Sequence, residues 1–140
     1  MNKTFEYNFS KWHPYIHIHE KDGIYTLHNL NNDKRYIGYS CRMQNRIRSH
    51  IYSLKSGRHA IPTLQSDFNQ GDFFEIEILC ELENGNYMNH LLIEKYFILK
   101  HNSVDNGYNR SYNSYDKNRA LKDIRHNMRY IMENVAVTLL

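Results

Sequence analysis

The segment Gly23-Ile24-Tyr25-Thr26-Leu27-His28-Asn29-Leu30, the break Asn31-Asn32-Asp33 and the run Lys34-Arg35-Tyr36-Ile37-Gly38-Tyr39-Ser40 decide the fold. Residues 23–30 and 34–40 are rich in Ile, Tyr, Leu and Thr, and they flank turn-forming residues, which is the signature of a β-hairpin. In an antiparallel pair, opposed residues share a face and their numbers keep a constant sum. A loop of even length makes that sum odd, so Tyr25 and Tyr36 project from the same side of the ribbon. Two phenols on one face are either core tyrosines, the usual fate of Tyr in strands, or a pair available for joint chemistry.

Working outward, residues 1–22 are aromatic and His-rich. Tyr15-Ile16-His17-Ile18-His19 reads as an edge strand or an arm, and Asp22-Gly23 as the turn into the hairpin. Residues 42–56 repeat Met43, Ile47, Ile51 and Leu54 at helical spacing and stop at Gly57. Pro62 opens a short helix or turn over 61–70. Over 73–82, Phe73, Phe74, Ile76, Ile78 and Leu79 alternate with Glu75, Glu77 and Glu81, as in a half-exposed strand. Residues 87–100 form a strongly apolar helix, 102–114 an Asn/Ser/Gly/Tyr-rich loop. A single last helix is expected over 116–134, with Leu121, Ile124, Met128, Ile131 and Val135 on one side. This order predicts a small α+β domain with a short, largely antiparallel sheet.

Composition narrows the class. The 140 residues are 41% hydrophobic and 24% charged, enough to fold as one domain with short appendages. No apolar run reaches the roughly 20 residues that a bilayer requires, and Met1-Asn2-Lys3-Thr4-Phe5-Glu6 has no apolar block after a basic start, so no secretory signal is expected. Two cysteines, Cys41 and Cys80, exclude a disulfide scaffold, so a cytoplasmic, reducing compartment is expected. The net charge of +3 hides a concentrated block: residues 34–66 hold seven Lys and Arg and no acid, whereas 67–105 hold eight acids against Lys95 and Lys100. Protonated His50 and His59 would strengthen the basic block. A block of this kind suits either a phosphate backbone or a solvated surface.

Five further residues carry chemical interest. Arg42, Arg46 and His50 fall at i, i+4 and i+8 on one stripe bordering the packed side of the first helix. A guanidinium held at Arg46 can grip a phosphate with two parallel hydrogen bonds; the alternative is an ordinary solvated arginine. Glu94 lies in Leu91-Leu92-Ile93-Glu94-Lys95-Tyr96-Phe97-Ile98-Leu99, a helix apolar nearly all round. Its desolvation costs several kcal/mol unless a metal ion, Lys95 or a distant Arg compensates. One carboxylate completed by waters and phosphate oxygens suits Mg²⁺. Asn109, closing Gly107-Tyr108-Asn109, can hold a backbone turn or a phosphate.

Together these residues resemble a known family. Gly23-Ile24-Tyr25, ten residues, then Tyr36-Ile37-Gly38 looks like the paired motif that names the GIY-YIG nuclease superfamily. Asn45-Arg46-Ile47-Arg48-Ser49-His50 resembles its helix motif, Leu64-Gln65-Ser66-Asp67-Phe68 its next short helix, Ile76-Glu77-Ile78-Leu79 its third strand, Glu94-Lys95-Tyr96-Phe97-Ile98 its metal-binding helix, and Tyr108-Asn109 its closing pair. The resemblance spans 22–110, leaving 1–21 as an N-terminal arm and 111–140 as a basic C-terminal segment. It implies an α+β fold with a three-stranded antiparallel sheet flanked by helices. It also implies divalent-metal-dependent hydrolysis of phosphodiester bonds in double-stranded DNA, of homing or restriction type. Tyr25, Tyr36, Arg46, His50 and Glu94 would be catalytic. Glu94 would hold the single Mg²⁺ (or Mn²⁺), Tyr25 would serve as base, if a cation lowers its pKa, and His50 would relay a proton or hold the phosphate. Arg42, Arg48 and Asn109 would contact substrate, and the enzyme could work as a homodimer. The competing expectation is an inactive nucleic-acid-binding module of the same fold.

Overall fold

The computed structural model describes residues 22–82 and 87–139; the expected N-terminal arm lies outside the described residues. Strands β1 (Gly23–Asn29), β2 (Arg35–Ser40) and β3 (Phe74–Glu81) form one antiparallel sheet in the order β2-β1-β3. Helix α1 (Met43–Lys55) and the short α2 (Pro62–Asn69) follow the hairpin; α3 (Tyr87–Lys100) follows β3; α4 (Lys117–His126) and α5 (Met128–Leu139) close the chain. No helix among the described residues is long and apolar enough to cross a membrane.

The hairpin register pairs Tyr25 with Gly38 and Leu27 with Tyr36, so both phenols stand on one face as the odd sum requires. That face carries Tyr25, Leu27, Phe74 and Ile76 against Met43, Ile47, Ile51 and Leu54 of α1 and Leu64 and Phe68 of α2. The other face carries Ile24, Ile37 and Cys80 against Ile93, Phe97 and Ile98 of α3. Helices α4 and α5 extend this second core through Ile124, Ile131 and Val135. The apolar side of the C-terminal segment therefore packs on the domain itself.

The expected single helix over 116–134 is two helices. Asn127 leaves helical geometry at φ −112, ψ 16, and its amide donates to the Asp123 carbonyl at 2.8 Å. An Asn side chain that bonds a nearby carbonyl competes with helix propagation, and the chain restarts at Met128. The restart leaves Met128 exposed, while Ile124 and Ile131 stay buried.

An open sheet edge needs cover. The outer edge of β2 receives it from three residues in a row: Tyr108 N donates to Arg35 O at 2.9 Å, Asn109 Oδ1 accepts from Ile37 N at 2.7 Å while its Nδ2 donates to Ile37 O at 2.8 Å, and the Glu94 carboxylate accepts from the Tyr39 backbone. The strand edge thus sets Glu94 beside the phenol face.

Candidate active site

Tyr25 is fully buried, and its ring lies across Gly38. A Cβ at Gly38 would stand 2.5 Å from the Tyr25 hydroxyl, so the glycine of the second strand makes room for the phenol of the first. The Tyr25 hydroxyl lies 2.6 Å from His50 Nε2, and His50 Nδ1 lies 2.8 Å from His59 Nε2. Tyr36 completes the group, its ring centroid 6.3 Å from that of Tyr25 and 5.2 Å from that of His50.

Burial pushes the Tyr25 phenol far above its ordinary pKa, and the neighbouring Tyr36 adds to the rise. Burial raises Tyr36 too, followed by the Glu94 charge. The Arg46 guanidinium works the other way on both phenols. Burial wins, so in the free protein both are neutral; the sequence-based condition for a Tyr25 base, a pKa lowered by a cation, is not met by Arg46 alone. Burial also pushes His50 down to about 3, with His59 and Arg46 acting in the same direction. His59 is lowered by burial, then by Arg46 and Arg110. Neither ring adds charge to the basic block at neutral pH, contrary to the expectation that protonation would strengthen it.

Glu94 reaches the other side of Tyr36. A cavity of about 270 Å³ is lined by Tyr36, Ile61, Glu94, Asn109, Arg110 and Asn113. Burial raises the Glu94 pKa, against hydrogen bonds from Asn113 Nδ2 and the Tyr39 backbone. The salt-bridge reading through Lys95 fails: Lys95 Nζ is 3.0 Å from Asp123 Oδ2 and serves α4 instead. Glu94 is held by neutral donors, which leaves its negative charge for a cation. The donor set fits the expected metal: one carboxylate of oxygen donors, at a cavity wide enough for water and a phosphate.

Arg46 hydrogen-bonds the Tyr36 hydroxyl, and Tyr36 lines the cavity together with Glu94, so Tyr36 links the two charges; Arg46 itself does not line that cavity. Arg42 and Arg48 are exposed on α1. The Asn109 amide engages the Ile37 backbone with both its polar atoms, the turn-holding member of the two roles open to it. A second cluster, His28, Glu75 and Glu77, brings ligand atoms within 4.8 Å of one another. It projects from the opposite face of the sheet, where Asp33 takes His28 at 2.6 Å and Arg35 faces Glu77 at 4.0 Å.

Sequence reasoning missed three residues. His59 was read only as potential charge, although it touches His50. Asn113 lies past the last resembling motif, yet it donates to Glu94. Arg110 Nη2 donates to Ala60 O at 2.6 Å and so stands over the cavity rim. Each sits in a loop, where periodicity carries no signal.

The family model described as the GIY-YIG catalytic domain matches residues 21–109. The chain belongs to the GIY-YIG family. It is 38% identical over 92 residues to intron-associated endonuclease 1 of enterobacteria phage T4, an alignment covering 64% of this chain and 36% of that protein. The chain therefore spans about a third of that curated relative. Among solved structures, it matches the catalytic domain of homing endonuclease I-TevI with a TM-score of 0.60 and 34% identity, over 65% of this chain and 99% of that one. A point mutant of the same domain gives a TM-score of 0.61 and 32% identity, over 69% and 99% of the two chains. The three-stranded sheet with flanking helices is thus the GIY-YIG fold. The match places the paired strands, α1 and α3 inside the family domain and leaves Asn113 outside it.

Proposed function

We propose that this protein is a divalent-metal-dependent endonuclease that hydrolyses phosphodiester bonds in double-stranded DNA, acting within the cell in which it is made. The observation that carries this reading is Tyr36, which hydrogen-bonds Arg46 and lines one cavity with Glu94, beside a second phenol held by a histidine pair. Relatives named as intron and homing endonucleases support it. A cation at Glu94 would supply Lewis-acid polarisation of the phosphate and neutralise developing charge.

The chain's own residues do the rest. Arg46 donates to a non-bridging phosphate oxygen, where a preorganised donor matters most as negative charge grows. Tyr25 orients the attacking water and takes its proton once the cationic charge of a loaded site favours the phenolate; His50 and Arg46 then stabilise that phenolate. Tyr36 stands between Tyr25 and Glu94 and links the two. Asn113 and the Tyr39 N–H fix the Glu94 carboxylate. Arg42 and Arg48 supply phosphate contacts that position the duplex without reading sequence. A single site of this size cuts one strand, so double-strand cleavage would use two copies.

The test is Mg²⁺- or Mn²⁺-dependent conversion of supercoiled plasmid to nicked or linear forms, with Glu94→Gln as control. Cleavage by the wild type alone supports the reading. DNA binding with no cleavage at any divalent-ion concentration returns the inactive-module alternative; the presence of Tyr25, Tyr36, Arg46, His50 and Glu94 in the sequence argues against that alternative.

A further inference from the structure

We propose that His59 is a positioning residue: it sets the tautomer of His50 so that His50 donates a hydrogen bond to Tyr25 and does not accept the phenol's proton. Its effect on turnover rests on the nuclease reading above; the tautomer itself stands on geometry alone.

The argument runs from a backbone amide. An amide N–H can only donate. Ile61 N donates to His59 Nδ1 at 3.1 Å, so that nitrogen presents its lone pair. A neutral imidazole carries one proton, which in His59 is then on Nε2. His59 Nε2 lies 2.8 Å from His50 Nδ1 and donates to it. By the same rule His50 keeps its proton on Nε2, 2.6 Å from the Tyr25 oxygen. The loop that makes this possible is pinned at the same residue, since His59 N donates to Gln65 Oε1 at 2.9 Å.

Both rings must be neutral for the chain to have a direction. The charged and titratable groups that act on His50 are His59 and Arg46, with Tyr25 and Tyr36 in ring contact; those acting on His59 are Arg46 and Arg110, with His50 stacked against it. No carboxylate is among them, and two cations oppose protonation. In a Ser-His-Asp arrangement a carboxylate beneath the histidine makes the ring an acceptor toward the nucleophile. Here an amide and a second histidine occupy that place, and the polarity is reversed. The Tyr25 oxygen is already an acceptor, so its own proton points away from the histidines, toward Tyr36. Proton release from Tyr25 therefore runs through Tyr36 and the cavity, and the phenolate left behind meets a donor already aimed at it.

The experiment is ¹⁵N NMR of the imidazole nitrogens in the full chain labelled at histidine, with His59→Gln, His59→Ala and His59→Glu, and plasmid cleavage alongside. The wild type is expected to show the proton on Nε2 of both His50 and His59. Gln places an amide donor where Nε2 stood and should keep the His50 tautomer and most of the turnover. Glu offers only acceptors, should move the His50 proton to Nδ1, and should cost on the order of 10² in turnover, the size of one lost preorganised donor. Ala should leave His50 in a mixture. A wild-type His50 protonated on Nδ1, or a tautomer unchanged in His59→Glu, overturns the proposal. Should the variants fail to fold, the wild-type spectrum decides it. Tautomers that follow the expected pattern in a protein that never cuts DNA would uphold the proposal and remove the nuclease reading instead.

Discussion

Tyr25 and Glu94 both neighbour Tyr36, yet the molecule holds them in opposite ways. Tyr25 belongs to the core: it is fully buried between sheet and helix, and its hydroxyl sits 2.6 Å from the buried His50 ring. Glu94 belongs to an edge, strapped to the backbone of β2 and to a loop side chain. The difference follows from what each must do. A phenol that has to be forced toward ionisation gains from surroundings that do not rearrange, whereas a carboxylate that has to take up a hydrated cation needs an open side. Mutations should therefore separate chemistry from folding at the edge and entangle them in the core.

The edge gives the largest expected effects. Arg46→Ala and Glu94→Gln should each lower cleavage by on the order of 10²–10³ or more, as measured on plasmid at saturating Mg²⁺. Stability should barely move, because Arg46 is exposed and Glu94 is held by neutral donors, so no partner charge is stranded. A melting temperature that collapses in Glu94→Gln would place Glu94 with the core. Tyr25→Phe should cost about 10²-fold in turnover while DNA binding persists. It should also cost about 1–3 kcal/mol of stability, since it leaves the His50 donor buried and unpaired. Equal activity in Tyr25→Phe would remove Tyr25 from the base role.

The same contrast explains what the sequence disclosed. Tyr25, Tyr36, Arg46, His50 and Glu94 sit on strands and helices, where period and register place side chains before any coordinates exist; the odd sum across the hairpin was enough to bring the two phenols to one face. His59, Arg110 and Asn113 sit in loops, whose paths depend on long-range closure against Gln65, Ala60 and Glu94. The break at Asn127 was hidden for a related reason. The apolar spacing of Leu121, Ile124, Met128 and Ile131 continues through it, and only the backbone angles of Asn127, with its side chain bonded to the Asp123 carbonyl, show that the helix does not.

The core side carries a pH signature. His50 titrates near 3 in the folded protein against 6.5 for an ordinary histidine, and His59 is displaced in the same direction. Between those values the unfolded chain binds a proton that the folded one refuses, so stability is lost as pH falls from about 6.5 toward 3. The slope approaches ~1.4 kcal/mol per pH unit from His50, and His59 adds in the same direction. Glu94, raised by burial, opposes this as pH falls toward its folded pKa, whereas His101, pushed down to about 4, adds to the loss. Thermal unfolding of the wild type and His50→Gln between pH 4 and 7 should show a shallower acid loss in the variant. Parallel curves would mean that His50 is protonated when folded, and the neutral relay would go with it.

The smallest effect tests the edge most finely. Asn113 adopts φ 59, a left-handed conformation that glycine accepts without cost, and its backbone N–H donates to Ser111 Oγ at 3.0 Å. Asn113→Gly therefore removes only the amide that steadies Glu94. Loss of such an outer partner typically weakens metal binding by 10–100-fold, and the low end is expected because the Tyr39 N–H still grips the carboxylate. The Mn²⁺ concentration giving half-maximal binding, read by electron paramagnetic resonance, should rise about 10-fold, with cleavage recovering at saturating metal. Superimposable Mn²⁺ titrations for Asn113→Gly and wild type would show that the strand edge alone positions Glu94. Of the segment beyond residue 109, Arg110 at the cavity rim would then remain as a contributor to the site, and Asn113 would not.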